Sequence, residues 1–191
     1  MAFERPPRTP LVFVSYSHKD KKWLERLETH LAPLLRKGAL IAWSDKQVHA
    51  GQQWRKEIEA AILSAQVAVL LVSPDFLASN FIAENELPPL LEGANERGLT
   101  VLWVAVSSSF YDEEQFAKYQ ALNNPSQPLN SLTPAKRDAE LVHVARQIKR
   151  AVEANPSRRA RDPARRPAEA SRPRSERPVR RHRPHAHRIQ P

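Results

Sequence analysis

The sequence contains no cysteine and only four glycines in 191 residues. Without cysteine there is no disulfide, no thiolate metal site and no cysteine nucleophile. With so little glycine, and no glycine-rich run after any candidate strand, neither a P-loop nor a dinucleotide-binding fingerprint can be built. The G-x-S-x-G elbow of a serine hydrolase is absent as well. Long apolar runs are also missing: no segment approaches the roughly 20 residues that span a bilayer, and "MAFERPPRTP" leads into nothing like a signal sequence. A cytoplasmic protein with no membrane span is expected.

The formal net charge is +9, yet it is not spread along the chain. Between Asn155 and Pro191 there are 12 arginines and no lysine, against Asp162, Glu169 and Glu176. The 18 basic and 18 acidic residues before that stretch cancel. The tail is rich in proline and poor in large apolar residues, so it cannot bury enough surface to offset its ordering entropy and is expected to be disordered. Its charge suits a salt-sensitive polyanion partner such as nucleic acid. His182, His185 and His187 lie within it, but no fixed scaffold would preorganise them, so no metal is expected. The organisation read from composition is a leader at 1–9, one domain at 10–153 and the tail at 154–191.

Within the domain, apolar runs and amphipathic stretches alternate. "LVFVS" (11–15), "ALIAW" (39–43), "VAVLLVS" (67–73) and "TVLWVAV" (100–106) read as strands, the last two apolar throughout as strands buried on both faces are. Trp23, Leu27, Leu31, Leu34 and Leu35 form a helical stripe that Pro33 should kink or end, with Gly38 as the stop. Ser17 is placed to cap that helix and Asp20 to sit in its first turn. Trp54, Ile58, Ala61, Ile62 and Ala65 space a second helix, and Leu87, Leu90, Leu91 and Ala94 a third. A last helix turns Leu141, Val144, Ala145, Ile148 and Val152 inward, and a fifth strand is expected near 128–132. This alternation predicts an α/β fold with a doubly wound parallel five-strand sheet of order 2-1-3-4-5.

In that order the ligand crevice lies outside the carboxyl ends of strands 1 and 3. Strand 1 ends at "SYSHKD" and strand 3 at "SPDFLASNFIAENEL". Strand 1 does not end in paired acids, which argues against a phosphoryl-accepting receiver. What remains is a crevice of hydroxyls, aromatic rings and carboxylates. Pro88 and Pro89 fit only the first turn of a helix and bias Leu87 away from helical angles, which places Glu86 just outside the helix start. A single carboxylate suffices to break a glycosidic bond when the leaving group is already cationic, as nicotinamide is in NAD. Ordinary glycosides need a second carboxyl to protonate the leaving oxygen.

The strand "VFVSYSHKD", the loop "WSDKQVHAGQQW" and "LLVSPDFLASNFIAENEL", in this order and spacing, resemble a TIR domain of the bacterial type over residues 10–153. The resemblance implies a flavodoxin-like sheet and a family containing both NAD-cleaving enzymes and non-catalytic adaptors that assemble through TIR–TIR contacts. In the NAD-cleaving members a small residue and an aromatic precede a Glu-Leu pair, a pattern matched by Ser79, Phe81, Glu86 and Leu87. Glu86 is then the catalytic carboxylate. Phe81 stands where tryptophan is common, and the interval to the glutamate is one residue longer than in many members, which leaves Glu84 as an alternative register. By the same resemblance Ser15 and Tyr16 line the ribose side, while Asp45, Lys46 and Trp54 flank the substrate or a neighbouring subunit. NAD would be the substrate, with no cofactor, and self-association into a homo-oligomer would complete the site. The second reading is a non-catalytic interaction module acting through Ser44–Gln53.

Overall fold

A computed structural model describes residues 9–45 and 54–155, with the backbone alone at Trp54. The expected leader (but for Thr9), Lys46 with the rest of the loop to Gln53, and the basic tail beyond Asn155 lie outside the described residues. Five parallel strands form one sheet of order β2-β1-β3-β4-β5: β1 (Leu11–Tyr16), β2 (Ile41–Trp43), β3 (Val67–Val72), β4 (Thr100–Ala105) and β5 (Gln120–Ala121). The order reverses between β1 and β3, whose register pairs Ser15 with Leu70 and Tyr16 with Leu71.

Both faces of this sheet are covered. On one side α1 (Lys21–Arg36) and α5 (Pro134–Ala154) pack over Val12, Val14, Tyr16, Val67, Val69 and Leu71. On the other, α2 (Trp54–Ser64), α3 (Pro74–Leu77) and α4 (Leu87–Glu96) pack over Phe13, Ala68, Leu70 and Val72. This is the two-residue alternation of a strand read out as two cores. Each fully buried Val or Leu in β3 contributes about 1.5–3 kcal/mol relative to exposure. Gly38 and Gly98 follow the ends of α1 and α4 with φ of 62° and 71°, where a side chain would be strained.

α1 runs through Pro33 to Arg36, with Leu34 and Leu35 packed against the first core, and Gly38 lies beyond its end as expected. Three local expectations are corrected. The fifth strand is Gln120–Ala121, and Leu129–Ser131 is a 3₁₀ turn. Asn123 extends the short edge by accepting from Ala105 N at 2.8 Å and donating to Ala105 O at 3.0 Å. Ser17 stands at the N-cap of the 3₁₀ turn His18–Asp20 but its hydroxyl makes no capping bond, while Asp20 lies in that first turn as expected, buried and accepting from the Ser73 hydroxyl. Leu87, despite the proline that follows it, is helical at φ −60° and ψ −47°.

That last correction shapes the site. Residues Ile82–Glu86 wind as a π-helical turn that runs directly into α4, with Leu87 N–H reaching Ile82 O. Pro88 and Pro89 lack the N–H groups that would extend an α ladder back over Glu84 and Asn85, so the wider turn accommodates the segment. Glu86 is therefore inside a continuous helical path and makes no capping bond at its end.

Candidate active site

The π turn and α4 present Ile82, Glu86 and Leu90 at four-residue spacing, and all three are buried against the sheet. Two members of this stripe are ordinary core residues; the middle one is a carboxylate, 4% exposed. Glu84 falls on the opposite side of the turn and is exposed. Ser15 shares a strand face with Phe13, so its side chain points toward the α4 side of the sheet, and Ser15 Oγ donates to Glu86 Oε2. The bond joins the carboxyl end of β1 to the segment that follows β3, at the point where the winding reverses.

Burial pushes the Glu86 carboxyl up to about 7; the Ser15 hydrogen bond and the His18 charge pull it down, and the Asp45 charge pushes it further up. The environment thus holds Glu86 near the boundary between its two protonation states at neutral pH. Tyr16, the next residue on β1, turns to the α1 side and is buried. Its phenol is pushed up by burial first, then by Asp45, with smaller contributions from Glu28 and Glu86.

Asp45 follows β2, the strand beside β1, and meets His18 of the β1 loop through Oδ2 and Nε2. The Asp45 side chain is 10% exposed and that of His18 74%. Ser44 Oγ and Asp45 Oδ1 are buried with no hydrogen-bond partner among the described residues. Both follow the carboxyl end of β2. The β1 loop is tied to the end of β3 twice, by Ser73 donating to Asp20 and by Lys19 paired with Asp75 at 2.9 Å.

The remaining expected site residues are Ser79, Phe81, Lys46 and Trp54. Ser79 is half-buried, and its hydroxyl accepts from Ile82 N at 3.4 Å, opening the π turn. Phe81 packs against the second core. These two shape the segment that carries Glu86. The Trp54 side chain and Lys46 lie outside the described residues. His18 was not singled out by the sequence, because its partner is 27 positions away and the parallel pairing of β1 with β2 is what brings them together.

Among the described residues no group of three or more His, Asp or Glu side chains is arranged to hold a metal ion. No helix among them is long and apolar enough to cross a membrane. A separate cavity, lined in part by Thr100, Leu122, Gln147 and Arg150, lies at the amino end of β4 and away from the carboxylate crevice.

Fold and crevice together define a doubly wound α/β domain with a buried carboxylate at its switch point. A family model described as the TIR domain matches residues 12–133, most of the chain, and the protein belongs to that family. An uncharacterized protein, y4lF, of Sinorhizobium fredii (strain NBRC 101917 / NGR234) is 28% identical over 142 residues, 74% of this chain. The aligned part is 43% of that relative's length. Among solved structures, the TIR domain of the Toll-related receptor TRR-2 from Hydra magnipapillata is similar with a TM-score of 0.47 at 16% identity, over 74% of this chain and 97% of that one. The TIR domains of the activated Roq1 resistosome, which directly recognizes the pathogen effector XopQ, give 0.44 at 18% identity, over 72% and 84% of the two chains.

Proposed function

We propose that this TIR domain cleaves NAD at the nicotinamide–ribosyl bond, with Glu86 as the essential carboxylate. The observation that carries the reading is the burial of Glu86 at the switch-point crevice with Ser15 as its hydrogen-bond partner. The C1′–N bond breaks with its electron pair passing to the pyridinium nitrogen, so nicotinamide leaves neutral and the charge moves onto the ribose. An ionised carboxylate facing that ribose favours the oxocarbenium-like transition state over the ground state. Removing water from around Glu86 strengthens this interaction, and the cation of the incoming substrate favours the ionised form.

In this reading Ser15 orients Glu86, while Tyr16 and Asp45, with Lys46 and Trp54, surround the ribose and nicotinamide. Ser79 and Phe81 hold the turn. The homo-oligomer that TIR–TIR contacts would form, and a polyanion held by residues 155–191, belong to the same proposal. The test is nicotinamide release from NAD by concentrated full-length protein, with Glu86→Ala and Glu84→Ala in parallel. Release lost in Glu86→Ala alone supports the reading. Release that survives Glu86→Ala and disappears in Glu84→Ala moves the function to the other register, and no release by wild type at any concentration favours a non-catalytic interaction module.

A further inference from the structure

The cleavage step leaves a ribosyl cation that a nucleophile must capture, and when that nucleophile is water a proton has to leave its oxygen. Glu86 is engaged by Ser15 and, in the reading above, is committed to the ribosyl cation itself, so a second group is needed for the proton. The exposed rim of the same crevice holds a different pair. His18 opens the 3₁₀ turn after β1, and its Nε2 meets Asp45 Oδ2. The ring lies 5.9 Å from that of Tyr16 at an interplanar angle of 49°. His18 lies three residues beyond Ser15, the partner of Glu86, at the carboxyl end of β1, and Asp45 follows the adjacent parallel strand β2, so the pair stands at the same end of the sheet as the Ser15–Glu86 bond.

The chemistry of the pair follows from its donors. A carboxylate oxygen only accepts, so the neutral imidazole carries its proton on Nε2 toward Asp45. The lone pair is then on Nδ1, which has no hydrogen-bond partner among the described residues. Asp45 is largely buried and fixed at the end of β2, whereas His18 is mostly exposed. One member orients and the other is open to solvent, the arrangement a general base requires.

We infer that His18 is the general base of the hydrolytic half-reaction, oriented by Asp45, an inference that rests on the NAD-cleaving reading above. The water oxygen forms its bond to C1′ of the ribosyl cation and passes one proton to His18 Nδ1. The product is ADP-ribose with a hydroxyl at C1′, and the imidazolium returns the proton to bulk water. No oxidant, metal or second substrate enters the balance. Asp45 is a positioning residue in this scheme and His18 the catalytic one.

A nucleophile with no proton to lose separates this role from a structural one. A free pyridine base such as 3-acetylpyridine attacks C1′ through its ring nitrogen and needs no general base, so exchange of nicotinamide for the added base bypasses His18. Full-length wild type, His18→Ala and Asp45→Asn are incubated with NAD and 3-acetylpyridine, and ADP-ribose and the exchanged dinucleotide are quantified together. General bases contribute about 10²–10⁴-fold where proton transfer is well developed and less in a loose transition state, so the ratio of hydrolysis to exchange should fall at least about tenfold in His18→Ala. Asp45→Asn should lower it in the same direction, because the amide donates to Nε2 and moves the ring proton to Nδ1. An unchanged ratio in His18→Ala overturns the inference while leaving the role of Glu86 standing. Wild type that forms neither product overturns both readings.

Discussion

Ser15 Oγ donates to Glu86 Oε2 across 71 positions of sequence, joining the carboxyl end of β1 to the π turn that leads into α4. The bond is buried, and among the described residues Glu86 has no cation as its hydrogen-bond partner.

The stability of the domain should depend on pH through Glu86 itself. Its carboxyl is raised from an ordinary 4.5 to about 7, so between these values the folded state binds more protons than the unfolded one. Stability is then fully retained below the ordinary value and lost as pH rises toward 7. At about 1.4 kcal/mol per unit the cost above pH 7 is on the order of 3 kcal/mol. Glu86→Gln keeps an acceptor for Ser15 and removes that cost. Urea melts should show the variant more stable than wild type at pH 8, by up to about 3 kcal/mol, and about equal to it at pH 4. A variant less stable at both pH values would contradict the assigned burial cost.

Ser15→Ala removes the contact that lowers the proton affinity of Glu86. The midpoint of the rise of kcat/KM with pH should therefore move upward, and the plateau should fall because Glu86 loses the contact that orients it. Leaving the buried carboxylate oxygen without its donor should cost about 1–3 kcal/mol of stability above neutral pH. Ser15→Thr, which keeps the hydroxyl, should restore the wild-type midpoint. The check is the pH profile of nicotinamide release for the three proteins.

Glu84→Ala should leave both stability and nicotinamide release close to wild type. The side chain is exposed, and surface substitutions away from specific contacts fall within about 0.5 kcal/mol. A loss of release comparable to that of a Glu86 variant would show that the two glutamates exchange places in the active assembly.

Ser73→Ala removes two contacts at once, the hydroxyl that reaches Asp20 and the cap that accepts from Phe76 N at 3.0 Å. Asp20 is already raised by burial, with the Ser73 bond acting against it. Losing the cap costs about 1 kcal/mol. Stranding the buried carboxylate adds about 1–3 kcal/mol. Thermal unfolding should show a clear loss at pH 7, smaller at low pH, where Asp20 is neutral. An equal loss at both would mean that the cap alone matters.

Much of the fold is legible in the sequence because its signals are long. "VAVLLV" is apolar at every position since β3 is covered on both faces, and the alternation of strands with helices implies the parallel order that the sheet adopts. The fifth strand is not legible, because it is two residues long, one of them exposed, and part of its pairing comes from the side chain of Asn123. The two prolines mark the start of α4, yet proline preference alone misplaces Leu87, whose helical angles depend on the π turn before it. The different surroundings of Glu84 and Glu86 are written in the four-residue spacing of Ile82, Glu86 and Leu90, a periodicity that counts back from the helix and not forward from Phe81. The meeting of His18 with Asp45 has no local signal at all, since it depends on which strands lie side by side.

The central claim is that the buried carboxylate of Glu86 drives loss of nicotinamide. Its most direct test is the rate of nicotinamide release from NAD by concentrated full-length wild type and Glu86→Gln, two proteins that differ by one proton-bearing group of nearly the same shape. Losing a preorganised electrostatic partner of a developing charge costs about 10²–10³ in rate, and at least that loss is predicted for Glu86→Gln with a folded, soluble variant. Release by Glu86→Gln at the wild-type rate would contradict the account.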